Sequence, residues 1–141
     1  MSDDLLLHAS CVALNGRAVL LIGPSGAGKS DLALRLMDRG AQLVGDDYVL
    51  VRRDEDRVVA RPAEKLQGLV EVRHIGICRF PFLDAAPLAL VAELVDAPDR
   101  LPEPTRHSIL GVDLPLIRVS ALHASTPIKI GLALEQGTEF L

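Results

Sequence analysis

The sequence predicts a single α/β domain, residues 1–141, with a mixed β-sheet and flanking helices. Three observations lead there. The 141 residues are 49% hydrophobic but only 3% aromatic, with no Trp, one Tyr and three Phe, so the core is filled by Leu, Val, Ile and Ala, as in α/β sheets buried on both faces. An Asn-Gly pair stands between two apolar runs near the N-terminus, which marks an antiparallel hairpin. A glycine-rich turn then joins the second run to a stretch with helical periodicity.

Taken in order, residues 5–14 are apolar, Asn15-Gly16 supplies a turn needing positive φ, and residues 17–22 form the next strand. The glycine-rich turn covers residues 23–30. Residues 31–39 place Leu32, Leu36 and Arg39 on one helix face with Ala33 and Met37 beside it, and Gly40 closes the helix. Leu43 and Val44 start a short strand ending at Gly45-Asp46-Asp47. Residues 48–53 and 57–61 read as a second hairpin around residues 54–56, stopped by Pro62. Residues 66–77 mix apolar and charged side chains around Gly68 and Gly76. A strand is expected at 88–95, a loop at 97–115 because four of the nine prolines fall there, and a short strand at 116–119. Thr126 and Pro127 read as N-cap and first helical position of a helix over 128–136 that ends at Gly137.

Charge and cysteines narrow the function. The formal charge is -4 and the pI about 5.5, which argues against nucleic-acid binding, where Lys and Arg neutralise phosphates. Cys11 and Cys78 lie too far apart for a zinc knuckle or a redox pair and read as buried small hydrophobes. The N-terminal MSDDLLLHAS carries acids where a secretory signal carries bases, and no run reaches the roughly 18 to 20 apolar residues of a membrane span. A cytoplasmic protein without a membrane partner is expected.

Gly23, Pro24, Ser25, Gly26, Ala27, Gly28, Lys29 and Ser30 satisfy G-x-x-x-x-G-K-[ST], directly after a strand and, with Asp31, at the start of a helix. In that setting backbone N–H groups converge on one spot and favour a triphosphate. Gly26 and Gly28 admit phosphate oxygens close to the backbone, Lys29 bridges the β and γ phosphates, and Ser30 ligates Mg²⁺. The alternative is an ordinary glycine-rich turn with a solvated Lys. Asp46 and Asp47 follow a short strand, where one acid can hold the metal and the other accept a proton from a hydroxyl, or both can belong to a solvated turn. Glu71 alternates with apolar neighbours, the pattern of a solvent-facing strand residue. A small GTPase is excluded because the only Asn is Asn15, so no N-K-x-D guanine clamp exists. The run Leu-Val-Gly-Asp-Asp is too short for the Walker B strand of a motor ATPase.

His8-Ala9-Ser10, the phosphate loop with Asp31-Leu-Ala-Leu, Arg39-Gly-Ala-Gln-Leu-Val-Gly-Asp-Asp47 and Glu71-Val-Arg-His-Ile-Gly-Ile77 together resemble the catalytic domain of HPr kinase/phosphorylase, in family order from about residue 8 to residue 77. The resemblance implies a P-loop kinase fold similar to that of phosphoenolpyruvate carboxykinase, and ATP-dependent, Mg²⁺-dependent transfer of a phosphoryl group to a serine of the phosphocarrier HPr. It implies that Lys29 contacts the transferred group, that Ser30 and Glu71 ligate Mg²⁺, that Asp47 accepts the serine proton and that Asp46 supports it. His8 matches an active-site histidine of the family, and Arg100 resembles its late active-site arginine.

Three departures shape the expectation. The chain is expected to be a short form lacking the family's N-terminal domain; the full-length family is hexameric, and a homo-oligomer is one assembly the resemblance admits. His74 stands where the family has Gly, in a region tied to the reverse reaction, so phosphorylase activity is expected to be reduced or absent. By the same resemblance, the family's C-terminal helix that helps hold HPr is expected to be missing after the Thr126-Pro127 helix. Two other readings of the phosphate loop are a kinase of a small molecule and a noncatalytic nucleotide-sensing module.

Overall fold

Asn15 and Gly16 both take positive φ, 52° and 79°, and reverse the chain as the dipeptide predicts. The computed structural model describes residues 4–138. In chain order its elements are β1 (Leu5–Leu7), β2 (Ser10–Leu14), β3 (Arg17–Ile22), α1 (Lys29–Asp38), β4 (Gln42–Gly45), β5 (Val49–Asp54), β6 (Arg57–Pro62), a 3-10 turn at Glu64–Leu66, β7 (Leu69–Val72), β8 (Gly76–Arg79), β9 (Ala86–Leu94), β10 (Thr105–Ile109), β11 (Val112–Val119) and α2 (Thr126–Gln136). Nine strands form one mixed sheet in the order β1-β5-β6-β9-β3-β2-β4, with the β10–β11 hairpin attached through β11 to β9. The β3–β9 and β9–β11 pairs are parallel and the others antiparallel. β7 and β8 form a separate two-stranded sheet.

Alternation along the central strands creates two cores. Val12, Val19, Leu21 and Leu90 face α1 and α2, where they meet Leu32, Leu36, Ile130 and Leu134. Cys11, Ala13, Ala18 and Leu20 point the other way, to Val49, Val51, Val58, Ile109 and Leu114. These side chains are nearly all inaccessible to solvent, so aliphatic residues fill both faces as the composition predicts. Burial pushes the Cys11 thiol up from its ordinary range, and it serves as a small apolar residue. No helix among the described residues is long and apolar enough to cross a membrane.

The structure corrects four expectations. The loop expected over 97–115 contains the β10–β11 hairpin, hidden because Leu110 and Gly111 occupy its positive-φ turn (52° and 80°) instead of Asn-Gly. Pro115 is tolerated because β11 pairs with β9 only from Leu116 onward. The β7–β8 hairpin stands outside the main sheet with little to bury against. Cys78, on β8, is for the same reason only half-buried. Helix α1 starts at Lys29 instead of residue 31, and α2 is capped at Ser125 rather than Thr126; the Thr126 hydroxyl instead donates to the Ser120 carbonyl.

Candidate functional site

Topology brings three chain segments to one edge of the sheet. β2 runs antiparallel to β3 and β4, pairing Ser10 with Leu21 and Cys11 with Gly45, so the start of β2 lies beside the carboxyl ends of β3 and β4. Side chains from residues 8–10, from the glycine-rich loop after β3 and from the turn after β4 therefore meet. Such an edge is where ligands of α/β sheets bind.

The loop is shaped by its glycines. Gly28 caps α1 in a left-handed conformation (φ 101°), and a Cβ there would lie 3.0 Å from Ala121 Cβ. Lys29 and Ser30 are thus the first helical residues, where N–H groups lack intrahelical acceptors and the helix dipole favours an anion. Lys29 is buried at 7% exposure and folds across the loop, its Nζ donating to the carbonyls of Gly23 at 2.6 Å and Pro24 at 3.0 Å.

The acidic turn is packed against this loop. Gly45 is required because a Cβ there would come within 2.6 Å of Val49 Cγ1. Asp46 is 4% exposed and accepts hydrogen bonds from Ser30 Oγ, at 2.8 Å to Oδ1 and 3.0 Å to Oδ2, and from Ser10 Oγ at 2.7 Å to Oδ1. Asp47 takes φ 69° in a tight turn closed by the Tyr48 N–H donating to the Asp46 carbonyl at 2.7 Å, a strained geometry of the kind found at functional sites. Its carboxylate is solvent-accessible, and His8 Nε2 donates to Asp47 Oδ1 at 2.9 Å. The His8 ring leans on Tyr48, centroids 5.0 Å apart.

The opposite wall is the β7–β8 hairpin, and together the walls enclose a cleft of about 490 Å³ lined by His8, residues of the loop, Asp31, Asp47, Glu71, Arg73 and His74. Glu71 is exposed on β7, as its alternation predicts. His74 takes φ 75° at the hairpin tip, a conformation that glycine adopts more readily than any other residue. Of the sequence-predicted residues, His8, Ser25, Gly26, Gly28, Lys29, Ser30, Asp31, Asp47 and Glu71 line the cleft, and Asp46 lies beneath it, bonded to Ser30. Arg100 is not brought there; it is exposed on the segment between β9 and β10. Two residues escaped the sequence reading: Arg73, whose signal was its place two residues after Glu71, and Ser10, whose signal was a polar residue in an apolar strand.

Oxygen donors suit a hard divalent cation. Ser30 gives its one hydroxyl proton to Asp46, leaving its lone pairs free to serve the cleft it lines. Among the described residues no three His, Cys, Asp or Glu side chains converge into a metal cage; a hydroxyl and separate carboxylates fit a cation that completes its shell with phosphate and water, the usual habit of Mg²⁺.

The family model described as "HPr Serine kinase C-terminal domain" matches residues 1–83. An HPr kinase/phosphorylase of Prosthecochloris aestuarii is 36% identical over 126 residues, 79% of this chain and 37% of the relative. HPr kinase/phosphorylase 1 of Oceanobacillus iheyensis is 32% identical over 136 residues, 89% of this chain and 43% of the relative. The chain thus spans less than half the length of these relatives. The solved structure of the Hpr(Ser) kinase/phosphatase from Coxiella burnetii superposes with a TM-score of 0.81 at 24% identity, covering 94% of this chain and 95% of that one. That likeness shows the shared mixed α/β fold.

Proposed function

The chain belongs to the HPr serine kinase C-terminal domain family, and from that premise we propose that it acts as a single cytoplasmic P-loop kinase domain that transfers the γ-phosphoryl group of ATP to a serine of HPr. The observation that carries this reading is the joining of the glycine-rich loop to the acidic turn through the Ser30–Asp46 hydrogen bonds, which sets a phosphate-binding element beside an exposed carboxylate in one cleft.

In the proposed reaction, the loop amides of residues 23–30 hold the phosphates, and Lys29 leaves the Gly23 and Pro24 carbonyls to contact the group in transfer. Ser30 and Glu71, from opposite walls, would hold Mg²⁺, with Asp46 supporting Ser30. When bound, the ion neutralises charge on the phosphates. Asp47 takes the proton as the serine oxygen bonds to phosphorus and the bond to the β-phosphate oxygen breaks, while His8 orients the receiving carboxylate. The strained Asp47 turn holds that carboxylate toward solvent, where a docked protein hydroxyl can reach it. Arg100 has no role in this scheme. His74 at the hairpin tip supports a reduced reverse reaction, because a side chain replaces the family's glycine at the cleft rim.

The test is transfer of radiolabelled phosphate from ATP to purified HPr. Label on wild-type HPr, absent when its acceptor serine is replaced by alanine, supports the proposal; HPr left unlabelled by protein that binds Mg·ATP refutes it.

A further inference from the structure

Ser10 is inaccessible to solvent and sits between Ala9 and Cys11, both fully buried apolar residues. Its hydroxyl has a defined polarity. An ionised Asp46 is an acceptor only, so the Ser10 proton goes to Asp46 Oδ1 at 2.7 Å, and the Ser10 oxygen accepts the long N–H bond of Asp47 at 3.4 Å. One side chain thereby touches both acids of the turn.

Ser30 alone does not fix Asp46. Its hydroxyl lies 2.8 Å from one carboxylate oxygen and 3.0 Å from the other, an almost symmetric contact about which the carboxylate can pivot. Ser10 breaks that symmetry by engaging Oδ1 only. With Oδ1 held by two hydroxyls the carboxylate plane is set, and with it the direction of the Ser30 proton and of the lone pairs left to the cleft.

We propose that Ser10 is a positioning residue of the phosphotransfer site: through Asp46 it aims the Ser30 oxygen at the metal position, and through the Asp47 amide it steadies the turn that carries the proton acceptor. This rests on the phosphotransfer reading above. The consequence is specific, because removal of the hydroxyl loosens the metal ligand while leaving the loop amides that hold phosphate untouched.

The test compares wild type, Ser10→Ala, Ser10→Cys and Ser10→Thr by calorimetric titration of ATP with and without Mg²⁺, and by the Mg²⁺ dependence of transfer to HPr. Ser10→Ala is expected to raise the Mg²⁺ concentration for half-maximal transfer about tenfold, the scale for partners that orient metal ligands, with metal-free ATP affinity unchanged. Ser10→Thr keeps the hydroxyl and restores the wild-type Mg²⁺ dependence. Ser10→Cys keeps the volume with only a weak donor; it reports the same loss where Ser10→Ala fails to fold. Wild-type Mg²⁺ dependence in Ser10→Ala or Ser10→Cys overturns the proposal, as does an equal loss of metal-free ATP affinity, which is the mark of general structural damage. Failure of the phosphotransfer reading looks different: the wild type itself then leaves HPr unlabelled, whether or not it binds Mg·ATP, and the role of Ser10 falls with it.

Discussion

The two walls of the cleft are built on opposite principles. The wall on the main sheet ties cleft-lining Ser30 to buried Asp46 and Ser10 by hydrogen bonds of 2.7 to 3.0 Å, behind which lie two aliphatic cores. The β7–β8 hairpin stands outside that sheet, buries Val70, and exposes Ile75 at 77% and Ile77 at 66%. Local stability follows buried contacts, so the first wall is the fixed reference and the second the part able to adjust around a bound nucleotide. Asp47, the proposed proton acceptor, and the glycine-rich loop lie on the fixed wall, and Glu71 comes from the adjustable one.

Four substitutions put that contrast between the walls to the test. Asp47→Asn removes the acceptor from the fixed wall without changing volume and is expected to lower transfer by roughly 10²- to 10⁴-fold, with Mg·ATP affinity retained in a calorimetric titration; normal transfer removes Asp47 from its role. Gly45→Ala forces a Cβ to within 2.6 Å of Val49 Cγ1 and should destabilise the fold by about 1–3 kcal/mol in a urea titration, because the well-packed wall has no room to yield. Glu71→Gln, on the adjustable wall, should raise the Mg²⁺ requirement about tenfold while the thermal midpoint stays put, since the side chain is exposed. Ile77→Ser should shift stability by no more than about 0.5 kcal/mol; a large loss means that the hairpin is packed more firmly than its exposure indicates.

The same contrast explains what could be read from the sequence. Asn15-Gly16, the glycine-rich loop and the Gly45-Asp46-Asp47 turn are local signals, since each names residues whose conformation or chemistry is set within a few positions. The β10–β11 hairpin turns at Leu110-Gly111, where the usual first residue is missing, and its strand Thr105–Ile109 carries Arg and His, which blurs an apolar alternation. Residues 66–77 were opaque because a hairpin with little to cover imposes no burial pattern. Within the site, Lys29 and Ser30 could be named from the spacing of the loop motif, and Asp47 only through the resemblance to a family. The partnership of Ser10 with Asp46 spans 36 positions and depends on the register of β2 against β4, which only the folded sheet supplies. Arg100 matched a family position by its neighbours along the chain, yet the segment that carries it runs along the surface.

The amides after β3 are proposed to receive a nucleotide's phosphates, with Lys29 turning toward them. A crystal structure with Mg·ATP tests it most directly. The expected result is the β and γ phosphates seated over residues 23–30, with Lys29 Nζ moved off the Gly23 and Pro24 carbonyls and Ser30 Oγ on the ion. Nucleotide bound elsewhere, or an empty loop with Lys29 still bonded to those two carbonyls at saturating Mg·ATP, would contradict it.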